Sequence, residues 1–128
     1  MTCIIDDDRI FIYGIKKMLE LVDFCDQFLV YRNGREALDS LLAIIEAKDE
    51  LPDVILLDLN MPVLDGWQFL DEFVKVKVPK KITTYIVSSS VNPDDMLRAK
   101  SYSNVSKYIV KPITLDRVKE LTEELSLN

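Results

Sequence analysis

The chain has 128 residues, 48% of them apolar and 30% charged, with a formal net charge of −6. That is the size and composition of one domain around one hydrophobic core, expected over residues 1–128. An acidic balance without a strongly basic segment argues against nucleic acid and anionic membranes as partners, and no apolar run approaches a membrane span.

No signal peptide is read, so the expected location is cytoplasmic. Cys3 and Cys25 form no metal or redox motif and are read as reduced thiols. The chain has no histidine. Imidazole bases, His-ligated zinc and a phosphohistidine on this chain are thereby excluded.

In chain order, Thr2 to Ile5 is a short apolar run ending in three acids, Asp6, Asp7 and Asp8. It reads as a buried strand with an acidic C-terminal end, and Asp8 as a cap for the helix that follows. Phe11, Ile15, Met18 and Val22, joined by Ile12 and Leu19, recur at helical spacing, so an amphipathic helix is expected from Arg9 to near Asp23. Gln27 to Tyr31 is a second strand, and Asn33-Gly34 a turn. Ala37, Leu38, Leu41, Leu42 and Ile45 mark a second helical face, with a polar end at Glu46 to Glu50 and a stop at Pro52.

Val54 to Leu57 is four apolar residues in a row, a strand buried on both faces, and Asp58 follows it directly. Asp65 and Gly66 turn the chain into a helix with Phe69, Leu70, Phe73 and Val74 on one face. A lysine-rich connection around Pro79 leads to a β-branched and aromatic strand, Ile82 to Val87, which ends in Ser88, Ser89 and Ser90. Asn92 and Pro93 begin a fourth helix, with Asp94 and Asp95 near the positive end of its dipole. Its apolar face is thin (Met96, Leu97, Ala99), so it is expected to be the least firmly packed helix. Tyr108 to Val110 is a short fifth strand followed by Lys111-Pro112. Thr114 caps a last helix that buries Leu115, Val118, Leu121 and Leu125.

Five strands alternating with five helices predict an α/β fold with a parallel sheet covered on both faces. In such a sheet the residues after each strand collect at one edge, where ligands bind. Here they are Asp6 and Asp7, Asp58, Ser88 and Lys111. Crowded carboxylates repel one another and raise each other's pKa. A hard divalent cation relieves this, and Mg²⁺ fits best because it takes few carboxylates, keeps waters and binds phosphate oxygens. The hydroxyl and the ammonium suit the remaining oxygens of a phosphoryl group, and an Asp carboxylate can accept one. Singly, an Asp is usually a cap, a Lys-Pro a loop and a serine run a solvated turn. The ordered set is what carries the chemistry.

Over essentially its full length the chain resembles the receiver domain of two-component response regulators. The residues that carry the resemblance are Asp6-Asp7, Asn33-Gly34 with Ala37-Leu38, the stretch from Asp58 to Gly66, Ser88 and Lys111-Pro112. The long second segment and the DLNMP sequence look like stand-alone receivers related to phytochrome-partner response regulators. The resemblance implies a CheY-like, flavodoxin-like (βα)5 fold with strand order 2-1-3-4-5. It implies that Asp58 accepts a phosphoryl group from a sensor histidine kinase or histidine phosphotransfer protein. Asp7 would ligate Mg²⁺ directly, Asp6 largely through water, and the backbone carbonyl of Asn60 would complete the set with Asp58. Ser88 and Lys111 would bond phosphoryl oxygens, Tyr108 matches the aromatic switch position, and the Lys111–Pro112 peptide is expected to be cis. The effect would pass to a separate downstream protein. Nothing in the sequence decides between monomer and homodimer. The segment Ser101 to Ser106 departs from the family's small-residue pair before the fifth strand.

Two rivals stand beside this signalling, non-enzymatic reading. A phosphorylation-independent pseudo-receiver would be expected to have lost one of the acidic groups. A Mg²⁺-dependent phosphatase of the haloacid dehalogenase type needs an acid/base Asp two residues after its nucleophile, where this chain has Asn60.

Overall fold

The order of elements follows from local stop and start signals that the side chains supply. In the computed structural model, which describes residues 1–126, β1 spans Thr2–Ile5 and α1 Arg9–Leu21. Then come β2 (Phe28–Tyr31), α2 (Gly34–Ala47), β3 (Val54–Leu57) and α3 (Gly66–Phe73). The chain continues with β4 (Thr83–Ser88), α4 (Pro93–Ala99), β5 (Val105–Val110) and α5 (Leu115–Ser126). The Asp8 carboxylate accepts from the amides of Ile10 and Phe11 and so opens α1. Asn33 does the same for α2 through the amide of Glu36. Asp65 and Gln68 form a reciprocal capping box at α3. Asn92 caps α4 with Pro93 in its first turn, and Thr114 accepts from the Arg117 amide at α5.

All five strands pair in parallel in the order β2-β1-β3-β4-β5. This is the flavodoxin-like order implied by the resemblance. Alternation along the strands divides the interior in two. Cys3, Ile5, Ile55, Leu57 and Ile86 face α2, α3 and α4. Ile4, Val54, Leu56, Tyr85 and Val87 face α1 and α5. Because β1 and β3 are central, both of their faces are covered, and every residue in them is buried. That is why both read as unbroken apolar runs.

Several boundaries differ from the sequence reading. β5 begins at Val105 rather than Tyr108, so it covers the end of the SYSNVS segment. Its alternation is weak, because Ser106 and Lys107 interrupt the apolar pattern, and a register shift falls between Thr84 and Tyr85 on its partner. β2 begins one residue later than expected and β4 takes in Ser88 itself. Leu97 is 69% exposed, and Ala99 is the buried residue of α4. This helix is nevertheless fastened at its far end. The Arg98 guanidinium lies 4.6 Å from the centre of the Trp67 ring, Tyr102 stacks on Trp67 at 5.7 Å, and the Tyr102 hydroxyl donates to Asp71 of α3.

Candidate functional site

Two acids are fixed by the backbone before any side-chain contact is made. The Asp6 amide donates to the Tyr31 carbonyl and the Asp58 amide to the Ile5 carbonyl, both at 2.9 Å. The ladder therefore runs one residue beyond β1 and β3 and holds the two Cα positions side by side. Asp6 is 1% and Asp58 6% exposed, while Asp7 faces solvent. One carboxylate oxygen from each of Asp6, Asp7 and Asp58 lies within 4.8 Å of the others.

Lys111 follows β5, and its amide donates to the Ser88 carbonyl at 2.9 Å, joining the ends of β4 and β5. Its ammonium lies 2.9 Å from Asp6 Oδ2 and 4.0 Å from Asp58 Oδ1, and 4.4 Å from the centre of the Phe11 ring. The Lys111–Pro112 peptide is cis. Ser88 is fully buried, and its hydroxyl oxygen accepts from the Ser90 amide at 3.1 Å. Asp58 Oδ1 accepts from the Leu59 amide at 2.9 Å. Tyr108 is half-buried, and its hydroxyl donates to the Ser90 carbonyl at 2.9 Å. The strand-end residues singled out from the sequence thus gather at one edge of the sheet.

Burial pushes the Asp58 carboxyl up to about 6, the charge of Asp6 adds to the rise, and Lys111 and the Leu59 amide oppose it. Asp6 is also raised, again by burial first, against the hydrogen bond from Lys111. Desolvation therefore outweighs the mutual repulsion expected from the sequence. One ammonium does not neutralise the cluster. The donor set is three carboxylates with no sulfur or imidazole, which is the chemistry of a hard cation, and it fits Mg²⁺.

Glycine is required close by. A Cβ on Gly66 would collide with the Asp58 carbonyl oxygen and press on Leu59, so only glycine lets α3 start against the backbone that follows β3. A Cβ on Gly34 would collide with the Leu64 carbonyl, which accepts the Gly34 amide at 2.8 Å. Asn33-Gly34 therefore does more than turn the chain: it ties the start of α2 to the β3–α3 loop. That loop also holds Val63 at φ 71°, a left-handed conformation that β-branched residues resist.

The sequence reading missed Phe11 as the surface beneath Lys111. It sits among the core residues of α1 in the pattern, and nothing in the spacing aims it at the strand ends. It also missed the bond between Ser90 and Asp95, whose only signal is an acid in the first turn of α4.

A family model described as the response regulator receiver domain matches residues 2–123. The chain belongs to that family. This receiver is 29% identical over 123 residues to the probable methanogenesis regulatory protein FilR2 of Methanothrix harundinacea, covering 95% of the chain and 78% of that protein. It spans only 9% of another relative, the sensor histidine kinase CheAY of Helicobacter pylori. A two-component response regulator from Cytophaga hutchinsonii superposes with a TM-score of 0.86 at 26% identity, covering 99% of this chain and 96% of the other. The phosphorylated cyanobacterial phytochrome response regulator RcpA gives 0.79 at 28% identity, with 98% and 89% covered. Similarity to phytochrome response regulators, suggested by the second segment and DLNMP, thus extends to the whole fold. No helix among the described residues is long and apolar enough to cross a membrane.

Proposed function

We propose that the receiver takes a phosphoryl group onto Asp58 from the phosphohistidine of a sensor histidine kinase or histidine phosphotransfer protein in the cytoplasm, and thereby switches its binding of a separate downstream protein. The observation that carries this reading is the pairing of a buried Asp58 carboxylate with two further acids within 4.8 Å and an ammonium at 4.0 Å. A carboxyl pushed up to about 6 is still mostly ionised at pH 7, so Asp58 is available as a nucleophile.

A carboxylate oxygen of Asp58 forms the new O–P bond as the N–P bond of the phosphohistidine breaks, and the released imidazole takes up a proton. Asp6, Asp7, Asp58 and the Asn60 carbonyl would hold Mg²⁺, which when bound neutralises oxygen charge on the transferring group. The Lys111 ammonium moves from Asp6 toward a phosphoryl oxygen, and the Ser88 hydroxyl donates to another. Tyr108 reads the change through the β4–α4 loop, and phosphorylation shifts the population between two distinct conformations. In this reading the chain assists only its own phosphorylation and dephosphorylation.

Incubation with Mg²⁺ and acetyl phosphate, followed by intact-mass measurement, tests the proposal. Wild type gains one phosphoryl mass, while Asp58→Asn or a chelator abolishes the gain. No gain in wild type, together with no response to beryllofluoride, removes the switch. Turnover of a generic phosphate ester well above slow self-hydrolysis would favour a phosphatase instead.

A further inference from the structure

Every polar group of Ser90 is engaged, and its partners belong to three different elements. Its amide donates to the Ser88 hydroxyl oxygen at 3.1 Å, and its carbonyl accepts from the Tyr108 hydroxyl at 2.9 Å. Its own hydroxyl donates to Asp95 Oδ2 at 2.6 Å and accepts from the Asn92 amide at 3.3 Å. The bond to Asp95 is the shortest of the four and ends on a carboxylate oxygen, the kind of acceptor that makes the stronger hydrogen bonds. Ser90 and Asp95 are both half-buried, so water competes less for this bond than at an open surface. Asp95 lies in the first turn of α4, and that turn packs no buried apolar residue.

We infer that Asp95 is a positioning residue for phosphoryl binding: by holding the Ser90 hydroxyl it fixes the β4–α4 loop so that the Ser88 hydroxyl presents its proton to the phosphoryl group. The inference rests on the proposed function of Asp58. With the Ser90 amide occupying an acceptor site of the Ser88 oxygen, the Ser88 proton is left pointing away from the loop. The loop is then ordered before a phosphoryl oxygen arrives, and preorganisation of this kind raises affinity without adding a contact to the ligand. Without Asp95 the Ser90 hydroxyl is free to turn, the loop loosens, and the amide that orients Ser88 moves with it. The same loosening takes the Ser90 carbonyl away from Tyr108.

The test uses the full chain with Mg²⁺ and beryllofluoride as the phosphoryl mimic, read by fluorine NMR. Asp95→Ala and Ser90→Ala each lower beryllofluoride affinity about tenfold, and the double variant is no weaker than either single, because both remove one bond. Asp95→Asn stays close to wild type, since its amide oxygen still accepts from Ser90. Affinity for Mg²⁺ alone, measured by calorimetry, stays unchanged in all of them, which separates positioning from general damage to the fold. Unchanged affinity in Asp95→Ala, additive losses in the double variant, or an equal loss of Mg²⁺ affinity overturns the inference while leaving the role of Asp58 intact. If wild type itself does not bind beryllofluoride, the function proposed for Asp58 fails and this inference fails with it.

Discussion

Asp58→Asn should stabilise the metal-free protein, and by an amount that depends on pH. In the folded chain the Asp58 carboxyl sits at about 6, against 3.8 for an unperturbed aspartate. A carboxyl raised on folding holds its proton more tightly in the native state. Between pH 3.8 and about 6 the native state therefore binds more protons than the unfolded chain, and stability falls as pH rises through that window. At roughly 1.4 kcal/mol per pH unit, the loss above pH 6 amounts to about 2–3 kcal/mol. Asparagine carries no charge at any pH and keeps an oxygen to accept the Leu59 amide. For a chain of 128 residues that difference is a rise in Tm of roughly 7–11 °C at pH 7.5. The assay is thermal unfolding followed by circular dichroism, in chelator, for both proteins from pH 3.5 to 8. The gap should vanish at the acid end, open through the window and close again at pH 7.5 when saturating Mg²⁺ is added to wild type. A lower Tm for the variant at pH 7.5, or a gap that does not change with pH, would refute the account of a desolvated, crowded carboxylate.

Three other substitutions probe the surroundings. Gly66→Ala should destabilise the protein by roughly 3 kcal/mol in urea unfolding, because the new methyl meets the Asp58 carbonyl and not a flexible side chain. Val63→Gly should stabilise it by about 1 kcal/mol in the same assay, since glycine relieves the left-handed backbone at an exposed site with little packing to lose. Lys111→Met should cost roughly 1–3 kcal/mol above pH 6, because Asp6 is left buried without its ammonium partner. Its pH profile should be steeper than that of wild type, since the same change raises both Asp6 and Asp58.

The central strands were legible because both of their faces are buried, which leaves an unbroken apolar run with an acid at its end. Asp6 and Asp58 are found in this way, and the parallel sheet then places Ser88 and Lys111 beside them. β5 was only half legible, because an edge strand with Ser106 and Lys107 in it lacks a clean period. The capping box at Asp65 and Gln68 had a residue-type signal that the turn reading of Asp65-Gly66 absorbed. The cause of the raised Asp58 carboxyl was not legible at all. Carboxylates adjacent in a list of strand ends suggest repulsion, whereas the larger effect is loss of water around a side chain whose depth only the packed sheet determines.

Trp67 is the only tryptophan in the chain, and the groups against it come from the far end of α4 and the residues just beyond. The tryptophan emission of the native protein, excited selectively over the tyrosines, therefore has a single origin, at the seam between α3 and α4. If phosphorylation moves α4 as a rigid body, Arg98 and Tyr102 leave the indole and its emission shifts to the red. If only the first turn moves, the spectrum stays where it is. An unlabelled sample can thus tell a swinging helix from a hinged one.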